Sequence, residues 1–324
     1  MDCARITLAG CLLPLAVCPL WGDDLPLHGE TAVHFASADE GREIITREDA
    51  FLRALSPVDR QLRLQKDHDV AIPELLAFLR QEVLDWNPEQ RQAVAASILR
   101  VKEKLRRFRL PLPPQIMLVH TSGNEEGHAA YTRENAILLP TKVLGYERDS
   151  LDRLLIHELF HILSRTSPDL RRELYRLIGF RICEPISLPA KIASLKLTNP
   201  DAPLIDCYLE LAKDGRKLHA APLLYASIDK YDPAKKGTLF DYLVFRLLVV
   251  EKKDGLWVAV TDGKQAVLVD PRGIASFHDQ IGKNTNYIVH PDEILADNFV
   301  HLVQETQNLP TPRIVEEMAK LLRP

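Results

Sequence analysis

The sequence of 324 residues predicts an α+β fold, in which a β-rich insertion interrupts an otherwise largely helical chain. Apolar residues recur at helical spacing in three stretches, at residues 46–108, 150–182 and 284–322. Residues at about 204–270 instead read as short β-rich runs separated by turn signals. With 46% hydrophobic residues, the chain can bury a substantial core. We therefore expect helices packed on sheets rather than an all-α or all-β protein.

Residues 23–110 are predicted to form a helical N-terminal region. The opening residues 23–45 have no clear period, so we expect an extended lead-in with little structure. Helical periodicity begins at residue 46 and continues to about residue 108. Proline lies in the first turn of three predicted helices, at Pro57, Pro73 and Pro88.

Residues 111–324 are predicted to form a second region, which begins with short strands. Two β-rich runs, at residues 115–120 and 129–139, follow a proline-rich stop and are separated by turn residues. Helices are expected next, at residues 150–165 and 167–182.

The β-rich insertion contains hairpin signals. Five strands are predicted in it, at residues 205–212, 219–228, 239–250, 257–261 and 266–269. Asp-Gly pairs, which favour tight hairpin turns, occur at Asp214-Gly215, Asp254-Gly255 and Asp262-Gly263. Helical periodicity returns at residues 284–302, with Pro291 near the first turn, and a last helix is expected at residues 312–322.

The predicted helix at residues 150–165 contains an H-E-x-x-H motif, His157-Glu158-Leu159-Phe160-His161. His157 and His161 are four residues apart, so both imidazoles project from one helix face and can share a small cation such as zinc. Glu158 can take a proton from a water that the metal activates. The alternative is an ordinary buried helix whose histidines have partners in the core, and this predicts no stoichiometric metal.

A second segment, residues 290–299, places Glu293 and Asp297 on one helical face. With this segment the chain resembles the gluzincin type of zinc metallopeptidase, in which a glutamate of an E-x-x-x-D segment on a second helix completes H-E-x-x-H. The resemblance covers these two motifs. A capped amphipathic helix with Glu293 exposed is the alternative interpretation.

The resemblance implies a zincin-like catalytic domain at residues 111–324, with the β-rich insertion between the two halves of its metal site. It further implies that zinc is bound by His157, His161 and Glu293. Glu158 would be the general base, and Asp297 would accept a hydrogen bond from a ligand histidine.

Two other carboxylates compete for the place of third ligand. Glu184 follows His161 at a shorter separation, but no aspartate stands four residues later. Asp241 ends a G-T-x-x-D run that is similar to the one in aspzincins. Metzincins are excluded, because Ser164 and Ser167 occupy the positions of their glycine and last histidine.

An oxyanion formed at the metal would need a hydrogen-bond donor opposite the base. Tyr287 and His290 are the candidates closest in sequence to the second motif, and Tyr225 and Tyr131 are alternatives. Each of these residues can equally be a packed aromatic or a capping histidine.

Residues 1–22 resemble an export signal, because an apolar run precedes Gly22-Asp23-Asp24. The run Leu8-Ala9-Gly10-Cys11 is similar to a bacterial lipobox, which would make the protein a lipoprotein. Removal of this segment would leave Cys183 and Cys207, which are expected to form either one disulfide or two buried thiols.

The sequence thus predicts an exported, periplasmic or extracellular zinc metallopeptidase that acts on a peptide or protein substrate. An exported zinc-binding or scaffold protein with a zincin-like fold and little activity is the alternative. The net charge of −4, with basic and acidic residues interspersed, excludes a typical nucleic-acid binder. Membrane contact is expected only through an N-terminal lipid anchor.

Overall fold

The structure, a computed structural model, describes residues 24–323. Twelve α-helices lie in this part of the chain: α1 (Ala38–Thr46), α2 (Ala50–Ala54), α3 (Pro57–Leu64), α4 (Ile72–Glu82), α5 (Pro88–Leu105), α6 (Thr141–Leu144), α7 (Arg148–Thr166), α8 (Pro168–Leu177), α9 (Ala190–Ala193), α10 (Ala275–Ile281), α11 (Pro291–Gln304) and α12 (Pro312–Leu322). The predicted export signal lies outside the described residues. None of the helices in residues 24–323 is both long and apolar enough to cross a membrane.

Fourteen β-strands occur among the same residues: β1 (Asp24–His28), β2 (Thr31–Phe35), β3 (Val83–Leu84), β4 (Gln115–Thr121), β5 (Tyr131–Arg133), β6 (Ala136–Pro140), β7 (Phe180–Ile182), β8 (Cys207–Lys213), β9 (Arg216–Ala226), β10 (Leu243–Lys253), β11 (Leu256–Ala259), β12 (Thr261–Asp262), β13 (Gln265–Ala266) and β14 (Leu268–Val269). The chain is therefore a mixed α+β protein, as its sequence predicts.

The first sheet has the strand order β1-β2-β4-β6-β5, and β3 pairs with β4. Strands β2, β4 and β6 are parallel, whereas β1 and β5 are antiparallel to their neighbours. The prediction that residues 23–45 have little structure is wrong, because β1, β2 and α1 lie there. Alternate side chains such as Leu25, Leu27 and Val33 are buried in the core, and this period of two is the signal that sequence reasoning missed.

The N-terminal helices pack into the same core as the motif helix α7. Helix α5 begins at Asn87, whose side chain forms a capping box with Gln90. Its buried face shares one hydrophobic cluster with α7 and α11. Arg100 on α5 also makes a bidentate ion pair with Asp152 on α7. Both contacts fix α7 relative to the N-terminal region.

The second sheet is antiparallel and has the order β11-β10-β9-β8-β7, with β14 on β10. Two of the three predicted Asp-Gly turns are confirmed: φ is positive at Asp214 and Gly215 between β8 and β9, and at Asp254 and Gly255 between β10 and β11. The third turn is shifted by one residue, because Asp262 ends β12 and the turn to β13 is formed by Gly263 and Lys264. The helix predicted at residues 167–182 is too long. It ends at Leu177, and after Gly179 (φ 82°) the chain enters β7.

Helices α7 and α11 pack against each other in the centre of the molecule. Leu155, Ile156 and Phe160 on α7 are fully buried, and each contributes about 1.5–3 kcal/mol by burial. Helix α11 begins at Pro291 rather than at residue 284, because His290 caps it and Pro291 suits its first turn. This pairing turns the polar positions of both helices toward each other.

Candidate metal centre

The facing sides of α7 and α11 bring His157, His161 and Glu293 together. Glu293 Oε2 lies 3.1 Å from His157 Nε2 and 3.5 Å from His161 Nε2. One donor atom from each of the three residues lies within 4.8 Å of the others. Two imidazoles and one carboxylate are a donor set that suits zinc and leaves a coordination position open.

The burial and the hydrogen bonding of this cluster also fit a cation. His161 is fully buried and Glu293 is 2% exposed. Among the described residues, His161 Nε2 and Glu158 Oε2 have no hydrogen-bond partner. A buried polar atom without a partner costs about 1–3 kcal/mol. A cation beside His161 would be coordinated by this nitrogen and would give it a partner.

The charges of the site are strongly coupled. Burial lowers the pKa of His157, but hydrogen bonds to Asp297 and Glu293 outweigh it and raise the pKa to about 9. Burial raises the pKa of Glu293, yet the neighbouring histidines hold it well below its usual value. The carboxylates thus attract positive charge, and a metal ion would replace the proton on Nε2 of each ring.

Glu158 follows His157 on the same turn of α7 and is 3% exposed. Burial, followed by the nearby carboxylate of Asp201, raises its pKa to about 8. A carboxyl group with a pKa near neutrality can both accept and return a proton.

Asp297 and Asp292 hold the outer nitrogens of the two histidines. His157 Nδ1 donates to Asp297 Oδ1 over 3.3 Å, the contact that the gluzincin resemblance implies. His161 Nδ1 donates to Asp292 Oδ2 over 2.7 Å. Sequence reasoning missed Asp292, although two adjacent acidic residues at the start of an apolar helix are a usable signal. Both bonds fix the ring tautomers and leave Nε2 for the metal.

We expect Asp292→Ala to weaken metal affinity by about 10–100-fold, because His161 loses its orienting acceptor. Asp292→Asn keeps an acceptor oxygen and should bind metal more tightly than the alanine variant. Competition with a chromophoric chelator measures both affinities, and urea unfolding checks that both variants fold. Equal affinity of Asp292→Ala and the parent would contradict an orienting role.

A loop between α9 and β8 reaches the cluster from the side. Asn199 Nδ2 donates to Glu293 Oε1 over 2.6 Å, and the Asp201 carboxylate lies within 4.8 Å of donor atoms of Glu158 and His161. The sequence identifies residues 199–203 only as a turn cluster. Their polar side chains between prolines were the available signal, but nothing local connects them to α7.

The N-terminal region holds this loop in place through Thr198. Asp59 on α3 accepts from the Thr198 amide over 2.8 Å, and Arg63 donates to the Thr198 carbonyl oxygen over 2.9 Å. Asp59 and Arg63 are themselves a buried ion pair. The helical N-terminal region therefore helps to position the site.

Lys196 anchors the same loop by donating to Thr198 Oγ1 (2.9 Å) and to the Pro203 carbonyl oxygen (3.1 Å). Burial lowers its pKa from 10.5 to about 8. Between these values the unfolded chain binds more protons than the folded one, so stability rises with pH.

We expect the parent to gain roughly 3 kcal/mol of unfolding free energy relative to Lys196→Met as the pH rises from 8 to 10.5. The methionine variant cannot titrate at this position, so the difference isolates the lysine. Urea unfolding of both proteins at a series of pH values measures it. A difference that does not change with pH would contradict the prediction.

A cavity of about 470 Å³ opens over the cluster and is lined by His157, Glu158, Glu293 and Tyr287, among others. The Tyr287 ring stacks on His157, with centroids 6.5 Å apart. Tyr287 is 45% exposed, and the charge of Glu293 is the main cause that raises the pKa of Tyr287 well above its usual value, so its hydroxyl stays a donor. Tyr287 is thus brought to the site.

His290 lies outside this cavity, in the core beside Tyr175. Its Nδ1 accepts from the Asp292 amide over 3.2 Å, which caps α11. Burial lowers the pKa of His290 to about 4, so the ring is neutral. The structure gives His290 a capping position, the alternative that the sequence left open.

The other ligand and donor candidates lie elsewhere. Glu184 is exposed, and Asp241 is an exposed residue that accepts from the Thr238 amide at the 3₁₀ turn Leu239–Tyr242. In residues 24–323, the groups that could hold a metal contain neither Glu184 nor Asp241.

The alternative oxyanion donors and the two cysteines also lie apart from the metal cluster. Tyr131 donates to Glu125 inside the core, and Tyr225 lies on β9. Cys183 and Cys207 are free thiols.

Comparison with known proteins does not assign the chain to a family. Searches of protein-family models, curated proteins and solved structures found no match. The function of the chain is therefore inferred from the geometry and chemistry of the site.

Proposed function

We propose that this protein is a zinc-dependent metallopeptidase with a zincin-like fold of the gluzincin type. The observation that carries the proposal is the convergence of His157, His161 and Glu293, with donor atoms within 4.8 Å, at a cavity that Glu158 also lines. A buried polar cluster is stable when every polar atom has a partner, and a cation would supply the partner that His161 Nε2 lacks among the described residues.

A zinc ion held by His157, His161 and Glu293 would supply Lewis acidity, which polarises a substrate carbonyl and lowers the pKa of a water. Asp297 and Asp292 keep the two imidazoles in the tautomer that this binding requires.

Glu158 is the general base. It takes one proton from the attacking water and later delivers it to the departing nitrogen. The water oxygen joins the carbonyl carbon as the C–N bond breaks, so peptide and water account for all atoms of the two products. Tyr287 is the donor available to the developing oxyanion. No covalent enzyme intermediate is required.

The substrate chain would enter beside Ala129 and Ala130, which line the cavity next to edge strand β5. Small side chains there leave room for a polypeptide, whereas the Thr132 amide of β5 is already bonded to Asp201. We infer export from residues 1–22, and fractionation of the producing cells tests that inference.

The proposal is tested by measuring zinc and peptide cleavage in protein that lacks residues 1–22. We expect one zinc per chain by elemental analysis, loss of that zinc in His157→Ala, and cleavage of a peptide library that stops with a chelator and returns with zinc. A parent protein that carries no zinc after zinc has been supplied and the excess removed by dialysis would contradict the proposal. Stoichiometric zinc without cleavage, together with a tightly bound partner, would favour the scaffold alternative.

A further inference from the structure

A second, smaller pocket adjoins the cavity over the metal centre. The larger cavity has a volume of about 470 Å³ and the smaller one about 50 Å³. Four residues line both: Ala129, Ala130, Asp201 and Tyr287. The two pockets therefore adjoin at these residues, and we refer to them together as the groove, which has much more room on one side than on the other.

Apolar side chains form much of the wall of the small pocket. These are Leu197, Leu224, Leu239, Phe240 and Leu243, most of which belong to the β-rich insertion. A volume of about 50 Å³ holds a few water molecules or one short apolar side chain, not a continuing polypeptide. On this side of the metal centre the groove therefore accommodates a single substrate residue.

Asp201 lies where the two pockets adjoin, and one of its carboxylate oxygens already accepts hydrogen bonds. Its Oδ1 accepts from the Thr132 amide (2.7 Å) and from Thr132 Oγ1 (2.6 Å). A carboxyl oxygen of Glu158 lies within 4.8 Å of the Asp201 carboxylate, and Glu158 Oε2 is buried and has no partner among the described residues. Arg165 donates to the Asp201 main chain and to Thr132, so it does not bridge the two carboxylates.

Glu158 is buried and Asp201 is half-buried, and two carboxyl groups this close together favour a positive group beside them. A second metal ion is disfavoured, because His161 donates from Nδ1 to Asp292 and its only other nitrogen belongs to the metal centre already described. Two carboxylates without further ligands suit a primary ammonium, which carries one charge and three N–H donors. In a peptide whose first residue fills a one-residue pocket, that ammonium is the substrate's own α-amine.

We propose that the enzyme is an aminopeptidase, in which Asp201 at the groove junction, beside Glu158, binds the free α-ammonium while the small pocket takes a short apolar first side chain. This inference rests on the proposed peptidase function. The rest of the peptide lies in the larger cavity, whose walls include Val143, Tyr146 and Leu154. Asp201 thus selects for a free amino terminus.

The experiment uses zinc-loaded protein and one hexapeptide with valine in first position, either free or N-acetylated, with mass spectrometry of the products. We expect the free peptide to lose its first residue, and acetylation to lower kcat/KM at least 100-fold. A third peptide with tryptophan in first position should be cleaved at least 10-fold less efficiently than the valine peptide. These comparisons need no variant.

Asp201→Asn should raise KM for the free peptide at least 10-fold, with unchanged zinc content, whereas the exposed control Glu184→Gln should behave as the parent. Equal cleavage of free and acetylated peptides, or cleavage at internal bonds, overturns the aminopeptidase inference and leaves the peptidase proposal intact. Two metal ions per chain in the parent, with one lost in Asp201→Asn, also overturns it. Zinc-loaded protein that cleaves no peptide overturns both proposals.

Discussion

Replacing Glu158 by glutamine is expected to lower kcat for peptide hydrolysis by about 10²–10⁴-fold, the usual contribution of a general acid–base group. Glutamine has nearly the same shape, but it cannot take the proton from the attacking water. Zinc should stay bound, because Glu158 is not in the set formed by His157, His161 and Glu293. Elemental analysis and steady-state kinetics on one preparation measure both quantities.

The matched control for this prediction is Glu125→Gln. Glu125 is also a buried glutamate with an oxygen that has no partner among the described residues, but it lies in a 3₁₀ turn outside the metal cavity. Its variant should keep kcat close to the parent value. If Glu158→Gln and Glu125→Gln retain the same activity, Glu158 is not the base.

Replacing Glu293 by alanine is expected to weaken zinc binding by at least about 100-fold, more than the loss of an orienting partner would. The variant removes a carboxylate that approaches both histidines. It also leaves Asn199 without its acceptor, so urea unfolding should accompany the measurement. Competition with a chelator of known affinity gives the change.

Glu184→Ala is the comparison variant, because the sequence left Glu184 open as third ligand and the structure places it on the surface. It should bind zinc as the parent does. If Glu293→Ala retains zinc and Asp201→Ala loses it, the ion is bound instead by the group formed by Glu158, His161 and Asp201. Loss of zinc in Glu184→Ala would contradict the assignment of His157, His161 and Glu293 as the ligands.

Several parts of this molecule could be predicted because local chemistry decides them. The spacing of His157 and His161 sets them on one helix face whatever surrounds the helix. The Asp-Gly pairs produced hairpins because both residues tolerate positive φ, and Asn87 began α5 because its side chain satisfies free amides.

Other parts escaped prediction because they depend on partners distant in sequence. Strands β1 and β7 are short and gain their hydrogen bonds from β2 and β8, so their own residues carry a weak signal. Asp292 and Asp201 are ordinary turn and cap residues in sequence, and only the packing of α7, α11 and the 194–206 loop brings them beside the histidines.

The sequence by itself determined the α+β class, the helix that carries His157, Glu158 and His161, and a short set of carboxylates able to join them. It could not rank Glu293 above Glu184 and Asp241, because ligand geometry over such separations is set by tertiary packing. The pairing of α7 with α11 buries Glu293 between both imidazoles and leaves the other two exposed. Local periodicity is encoded in neighbouring residues. The approach of ligand residues from α7 and α11, in contrast, depends on the cooperative burial of apolar faces across the whole chain.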